Sequence, residues 1–124
     1  MAKVSKTEAL NAVLASLSAT SGDIEACEVV SVDGLMMASN FPAGMDEERL
    51  GAMAAALLAM GERASMELAR GSLQQVFVRG QKGLVVMMAA GQDGVLTALC
   101  SQNAKLGLIF LDMQRAAQEL AQII

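Results

Sequence analysis

The sequence has 124 residues, of which 54% are hydrophobic and 18% charged, and its formal net charge is −4. This length and composition predict a single domain over residues 1–124, and the lack of a basic cluster argues against a nucleic-acid partner. The sequence contains no histidine, which removes the commonest general base and metal ligand, so we expect no enzyme activity and no metal or cofactor.

The N-terminal part of the sequence predicts a helix followed by a hairpin. The helix is expected at residues 5–20, where a capping box precedes leucines that recur at helical spacing. Two apolar runs, 24–32 and 35–39, then flank Asp33-Gly34, a dipeptide that is a strong signal for a tight turn. We therefore expect two antiparallel strands after the first helix.

A long middle helix is predicted at residues 46–70, built mainly from strong helix formers such as alanine, leucine and methionine. Its start carries Asp46, Glu47 and Glu48. The helix dipole favours negative charge at a helix start, and this explains the three carboxylates better than a cluster for metal or acid–base chemistry. Gly71 follows where the helix is expected to end.

The C-terminal part predicts three strands and a last helix. The strands are expected at 73–79, 84–90 and 95–101, separated by two short turns that contain glycine, which makes an antiparallel meander. The helix is expected at 104–122, capped by Asn103. The element order is therefore α-β-β-α-β-β-β-α, and the predicted fold class is α/β of the α+β kind.

The middle helix has three faces on a helical wheel. The face expected to lie on the sheet carries Leu50, Ala54, Leu57, Gly61, Ala64 and Leu68. The flank beside it carries Met53, Ala56, Met60, Arg63 and Glu67, and the outer face carries Gly51, Ala52, Ala55, Ala59, Glu62 and Met66. Small residues on an outer face allow a partner helix to approach closely, although alanine also occupies exposed faces simply as the best helix former.

Two features favour an interface on this helix. Met53 and Met60 recur on the flank, and methionine is common at adaptable binding surfaces. The strand 73–79 has no proline and no charge before Arg79, so it lacks the usual protection against edge-to-edge pairing unless it is short or covered by a loop. The predicted interface residues are Ala52, Met53, Ala56, Ala59, Met60, Arg63, Glu67, Gln75, Val76, Phe77 and Val78.

Four segments in this order resemble the Roadblock/LC7 family, which includes dynein light chains and bacterial MglB-like regulators. They are 29–35 (VVSVDGL), 49–56 (RLGAMAAA), 73–80 (LQQVFVRG) and 104–108 (AKLGL). The resemblance extends over nearly the whole chain. It implies a five-stranded antiparallel sheet with the middle helix on one face and the terminal helices on the other.

The resemblance also implies a function. Family members typically pair through the middle helix and its adjacent edge strand, and many bind or regulate Ras-like GTPases. We therefore expect a non-catalytic homodimer that regulates a small Ras-like GTPase through the paired middle helices. The alternative is a dimerisation or scaffold subunit of a signalling or motor-type complex with no GTPase partner. Because no residue follows Ile124, functions that some relatives place in a C-terminal tail are not expected.

The remaining expectations concern the cysteines and the compartment. Cys27 and Cys100 lie singly in apolar stretches, so we expect buried, reduced thiols rather than a disulfide. No apolar run approaches the roughly 18 residues that a transmembrane helix needs, and the start of the sequence carries no secretion signal. We therefore expect a cytoplasmic protein with no membrane insertion.

Overall fold

The computed structural model of the protein describes residues 4–124, so the first three residues of the predicted domain lie outside the described range. Its elements are α1 (Lys6–Thr20), β1 (Ile24–Ser31), β2 (Met36–Asn40), α2 (Glu47–Glu67), β3 (Val76–Gly80), β4 (Gly83–Ala90), β5 (Gly94–Ser101) and α3 (Leu106–Ile123). The predicted element order and fold class are confirmed. The differences concern the ends of elements and the rotation of α2 about its axis.

All five strands form one antiparallel sheet in the order β2-β1-β5-β4-β3. The predicted meander is present as β3, β4 and β5. The β1–β2 hairpin turns at Gly34, whose φ of 86° lies in the left-handed region that glycine adopts most easily. The central strands β1 and β5 are buried along most of their length, as expected when helices cover both faces of a sheet. The outermost strands are β2 and β3.

The helices α1 and α3 pack on one face of the sheet and form the larger part of the core with it. Ser5 caps α1 as predicted, because its Oγ accepts a hydrogen bond of 3.1 Å from the Glu8 N–H. The start of α3 differs from the prediction. Lys105, rather than Asn103, is the N-cap residue, and its N–H donates to Asp23 Oδ2 at 3.3 Å. A carboxylate from the loop before β1 therefore supplies the acceptor at this helix end.

The opposite face of the sheet is covered by α2, over a smaller core of Val30, Ala54, Leu58, Met87 and Val95. Two glycines let the helix lie close to the strands. A Cβ on Gly51 would lie 2.6 Å from Val30 Cγ1, and a Cβ on Gly61 would lie 2.6 Å from Val76 Cγ2. Glycine inside a helix is about 1 kcal/mol less favourable than alanine, so this close approach accounts for glycine at both positions.

The ends of α2 are defined by local hydrogen bonds. Asp46 is the N-cap residue, and its Oδ1 accepts from the Arg49 N–H at 3.1 Å. At the other end Ala69 has a left-handed φ of 57°, and the Arg70 N–H donates to the Ser65 carbonyl oxygen at 2.7 Å. This pattern closes a helix. The helix therefore ends three residues earlier than predicted, before the glycine that was expected to end it.

The predicted rotation of α2 is wrong by about one residue position. The buried residues of the helix are Gly51, Ala54, Ala55 and Leu58. Leu57 is 37% exposed and Leu68 is 68% exposed, although both were predicted to face the sheet. The helix lies so close to the strands that small residues occupy most of the contact, and the leucines at the predicted positions turn outward.

Candidate functional site

The edge strand β3 is available for further pairing on one side. It hydrogen-bonds to β4, and within the described chain no strand lies on its other side. Phe77 and Val78 are each 46% exposed. No proline or charged residue precedes Arg79 in the strand, so the edge carries little of the usual protection against pairing. The strand begins at Val76, three residues later than predicted.

The flank of α2 that was predicted as an interface is exposed. Met53 is 54% exposed and Met60 is 70% exposed, and Ala56 lies exposed between them. Arg63 and Glu67 continue the flank and form an exposed ion pair, with 2.9 Å between Nε and Oε1. Such a pair on a helix surface stabilises it by only about 0.3–0.5 kcal/mol, so its main effect is a polar end to an apolar flank.

An apolar groove of about 130 Å³ lies between α2 and the strands beside the edge, lined by Leu50, Met53, Ala54, Leu57, Val78, Val85 and Met87. Leu50 and Leu57 were predicted to face the sheet, but both line this groove. A correct rotation of α2 would have put them beside Met53 and Met60. We call Met53, Ala56, Leu57 and Met60 together with β3 the α2–β3 surface.

The predicted interface residues do not all converge on this surface. Phe77 points to the opposite face of the sheet, where its ring lies 6.1 Å from the ring of Phe110 on α3. Ala52 lies beside the β1–β2 turn, since a Cβ on Gly34 would be 3.0 Å from its Cα. Gln75 precedes β3, half-buried, and its Oε1 has no hydrogen-bond partner. Val78 alone among the predicted β3 residues lines the groove, and the exposed Ala59 lies on α2 outside it.

A buried carboxyl group that was not among the predicted site residues lies under α2. Glu28 on β1 is 0% exposed, and neither of its carboxyl oxygens has a hydrogen-bond partner. Burial raises the pKa of this carboxyl group to about 7, and the negative charge of Glu47 on α2 adds to the rise. The sequence signal was a glutamate in the middle of a strand, between the apolar residues Cys27 and Val29.

The cysteines are both free and buried, as predicted. Burial raises the pKa of the Cys27 thiol, and burial together with the charge of Asp23 raises the pKa of Cys100 to about 11. A protonated thiol is a weak nucleophile, so both side chains act as small core residues. Residues 4–124 contain no group of three or more side chains placed to hold a metal ion. No helix in the same range is long and apolar enough to cross a membrane.

Comparison with known proteins gives a family match and a close relative. The family model of the Roadblock/LC7 domain matches residues 10–100. An uncharacterized protein of Methanocaldococcus jannaschii is 39% identical over 111 residues, which are 90% of this chain and 96% of the relative. Both the match and the relative extend across α2 and β3, so the α2–β3 surface lies within the shared region.

Solved structures give the same fold. A structure of MglB with a tetrameric arrangement superposes with a TM-score of 0.87 at 20% identity and covers 99% of this chain and 93% of that chain. Myxococcus xanthus MglB superposes with a TM-score of 0.85 at 22% identity and covers 99% of this chain and 92% of that chain. These similarities confirm the predicted sheet with α2 on one face and α1 and α3 on the other.

Proposed function

The chain belongs to the Roadblock/LC7 domain family, and from this premise we propose that it is a homodimeric, non-catalytic subunit that binds and regulates a small Ras-like GTPase. The family and the similarity to MglB support a regulatory role. The observation that carries the proposal is the α2–β3 surface, where an unpaired edge strand, an apolar groove and exposed methionines lie side by side.

Self-association through this surface would pair the free edge of β3 and bury the exposed apolar side chains of α2 at the same time. Antiparallel pairing of β3 with its copy would satisfy the N–H and C=O groups on the free side of the strand. The helix α2 passes over this end of the sheet, since Gly61 packs against Val76. Pairing of the strands would therefore bring the two α2 flanks together and remove Met53, Leu57 and Met60 from water.

The paired helices would form the docking surface for the GTPase. The support is the resemblance to a family in which many members bind Ras-like GTPases, together with the outer face of α2. Ala52 and Ala59 are exposed there, and Met66 is 65% exposed. Small side chains allow a partner loop to approach closely, and methionine adapts to its shape. The subunit would act by stabilising one conformation of the switch loops of the GTPase.

Charge substitution on the flank tests self-association. Met60→Asp should leave the core of each protomer intact and place a desolvated charge at the contact between the helices, so the variant should sediment as a monomer where the parent is a dimer. Leu108→Asp is the matched control, because Leu108 is 56% exposed on α3, on the other face of the sheet. A dimer that withstands Met60→Asp, or a parent protein with a mass near 12.9 kDa at micromolar concentration, would refute the proposed interface.

Partner capture separates the proposal from its alternative. The protein should retain a small GTPase from its native lysate, with a difference between GTP-loaded and GDP-loaded conditions, and Met60→Asp should lose it. A scaffold subunit would instead retain other proteins, and the nucleotide would make no difference. That second outcome would favour a dimerisation subunit of a signalling or motor-type complex.

A further inference from the structure

The strongest feature outside the α2–β3 surface is the pair of unsatisfied polar side chains beneath α2. Glu28 on β1 and Thr97 on β5 are directly opposite each other in the sheet, and both are 0% exposed. Neither the Glu28 carboxyl oxygens nor the Thr97 hydroxyl has a hydrogen-bond partner. Buried polar atoms without partners are rare because each is destabilising by about 1–3 kcal/mol.

The helix α2 lies directly on this pair. A Cβ on Gly51 would lie 3.3 Å from Glu28 Oε1, so the helix backbone is close to the carboxyl group. The groups that face Glu28 from the neighbouring strands are hydroxyls, Thr97 on β5 and Ser39 on β2. From α2 the charge that acts on it is the carboxylate of Glu47, which repels a second negative charge.

We propose that the proton on Glu28 controls how tightly the first half of α2 is seated on the sheet, and so forms a pH-sensitive switch beneath the helix. With the proton bound, the carboxyl group is neutral and the helix lies on it. When the proton leaves, an uncompensated charge is buried beside Glu47 and has to be solvated. The inference concerns the packing of the chain on itself and does not depend on the identity of any partner.

Movement of α2 is the easiest way to solvate this charge. Glu28 lies on a central strand that is hydrogen-bonded on both sides, to β2 and to β5. The first half of α2 contacts the sheet mainly through Gly51, Ala54 and Ala55, which bury little apolar surface. A segment with few large buried side chains opens at lower free energy than a central strand. The helix would therefore lift while the sheet stays intact.

Hydrogen exchange followed by mass spectrometry tests the proposal on the full chain. Exchange is measured at pH 5.5 and pH 8.5, with labelling times corrected for the intrinsic rate. Protection of residues 47–57 should fall about tenfold or more at the higher pH, relative to α3, since the opening equilibrium changes about tenfold for each pH unit between the ordinary pKa of glutamate and the raised pKa of Glu28. Glu28→Gln, which carries no charge at either pH, should show no such fall. Glu48→Gln, which removes an exposed carboxylate from the same helix, should behave like the parent.

A titration of the unmodified protein keeps the proposal testable if Glu28→Gln fails to fold. The carboxyl carbon of Glu28, followed by NMR, should titrate with a midpoint near 7, and the loss of protection in α2 should level off as the pH passes that midpoint. A midpoint near the ordinary value for glutamate, or a protection of α2 relative to α3 that is the same at both pH values, would overturn the proposal. Glu28 lies under α2 and outside the α2–β3 surface, so its NMR midpoint reports on this inference alone, and failure of the proposed function remains distinguishable from failure of this inference.

Discussion

Replacing Leu58 by alanine should destabilise the fold far more than the same replacement at Leu57, the adjacent residue. Leu58 is 4% exposed and belongs to the core beneath α2, while Leu57 is 37% exposed and lines the open groove beside β3. One residue position separates a buried side chain from a surface one. The pair therefore tests the rotation of α2, on which the description of the α2–β3 surface depends.

The expected magnitudes follow from burial. Leu58→Ala removes three buried carbons next to Ala54 and Val95, and since α2 already lies close to the sheet the structure cannot collapse much further. The expected loss is about 3 kcal/mol, within the usual range for a buried leucine. Leu57→Ala removes the same atoms from a partly exposed site that leaves no closed cavity, so the loss is about 1 kcal/mol.

Urea unfolding followed by circular dichroism measures both losses, at two protein concentrations so that association and intrinsic stability can be separated. The corresponding decreases in Tm are roughly 10 °C for Leu58→Ala and 4 °C for Leu57→Ala. Equal losses, or a larger loss at Leu57, would refute the assigned rotation. The leucine-rich face predicted from the sequence would then be the buried one after all.

Three further predictions concern packing, pH and thiol reactivity. Gly51→Ala should destabilise the protein by about 1–3 kcal/mol despite the better helix propensity of alanine, because the new Cβ would meet Val30 Cγ1 at 2.6 Å. Gly107→Ala, in open space on α3, should stabilise the protein by about 0.5–1 kcal/mol in the same urea assay. The folded-state pKa of Glu28 is raised from 4.5 to about 7, so its contribution to stability is complete below pH 4.5 and is lost as the pH rises to about 7. Unfolding curves across this range should show a loss of about 3 kcal/mol, and Glu28→Gln should abolish it. Both cysteines should resist alkylation in the native protein and react fully after denaturation, as intact mass will report; rapid labelling of the native protein would contradict their burial.

The order of the elements could be predicted from the sequence because the turns and helix ends between them are marked by local residue patterns. Asp33-Gly34 marks the first hairpin, and glycines mark the two turns of the meander, where Gly91 has a left-handed φ of 70°. The acidic start of α2 was equally clear, and Asp46 does cap the helix. Signals of this kind depend on residues a few positions apart, so they can be recognised without knowledge of the tertiary structure.

The rotation of α2 could not be predicted because its sequence is apolar on more than one face. Leu57 and Leu58 are adjacent, and alanines surround both, so the helical wheel offers no clear boundary between a buried face and an exposed one. The close approach of the helix to Val30, which requires Gly51 at the contact, decides which face of α2 is buried. That distance is a property of the packed layers rather than of the helix.

Two further features were not predicted, the acceptor at the start of α3 and the buried carboxyl group of Glu28. The acceptor at the start of α3 comes from Asp23, 82 residues away in the sequence, so the local pattern favoured Asn103 as the cap instead. Glu28 could have been found. Both faces of the sheet were predicted to be covered, and a glutamate in the middle of a fully covered strand has to be buried whichever way it points.

The two edges of the sheet differ in a way that limits how copies of the chain can assemble. The pairing of β2 with β1 contains a bulge between Val29 and Val30, and Asn40 at the end of β2 donates to Ser18 Oγ on α1 at 3.0 Å. The pairing of β3 with β4 is regular throughout. A bulged edge is a poor template for an incoming strand, so head-to-tail addition of β3 to β2, which could continue without end, is disfavoured. Contact of β3 with its own copy is isologous, uses both regular edges at once, and leaves only the bulged β2 edges free, which are poor templates for further strands.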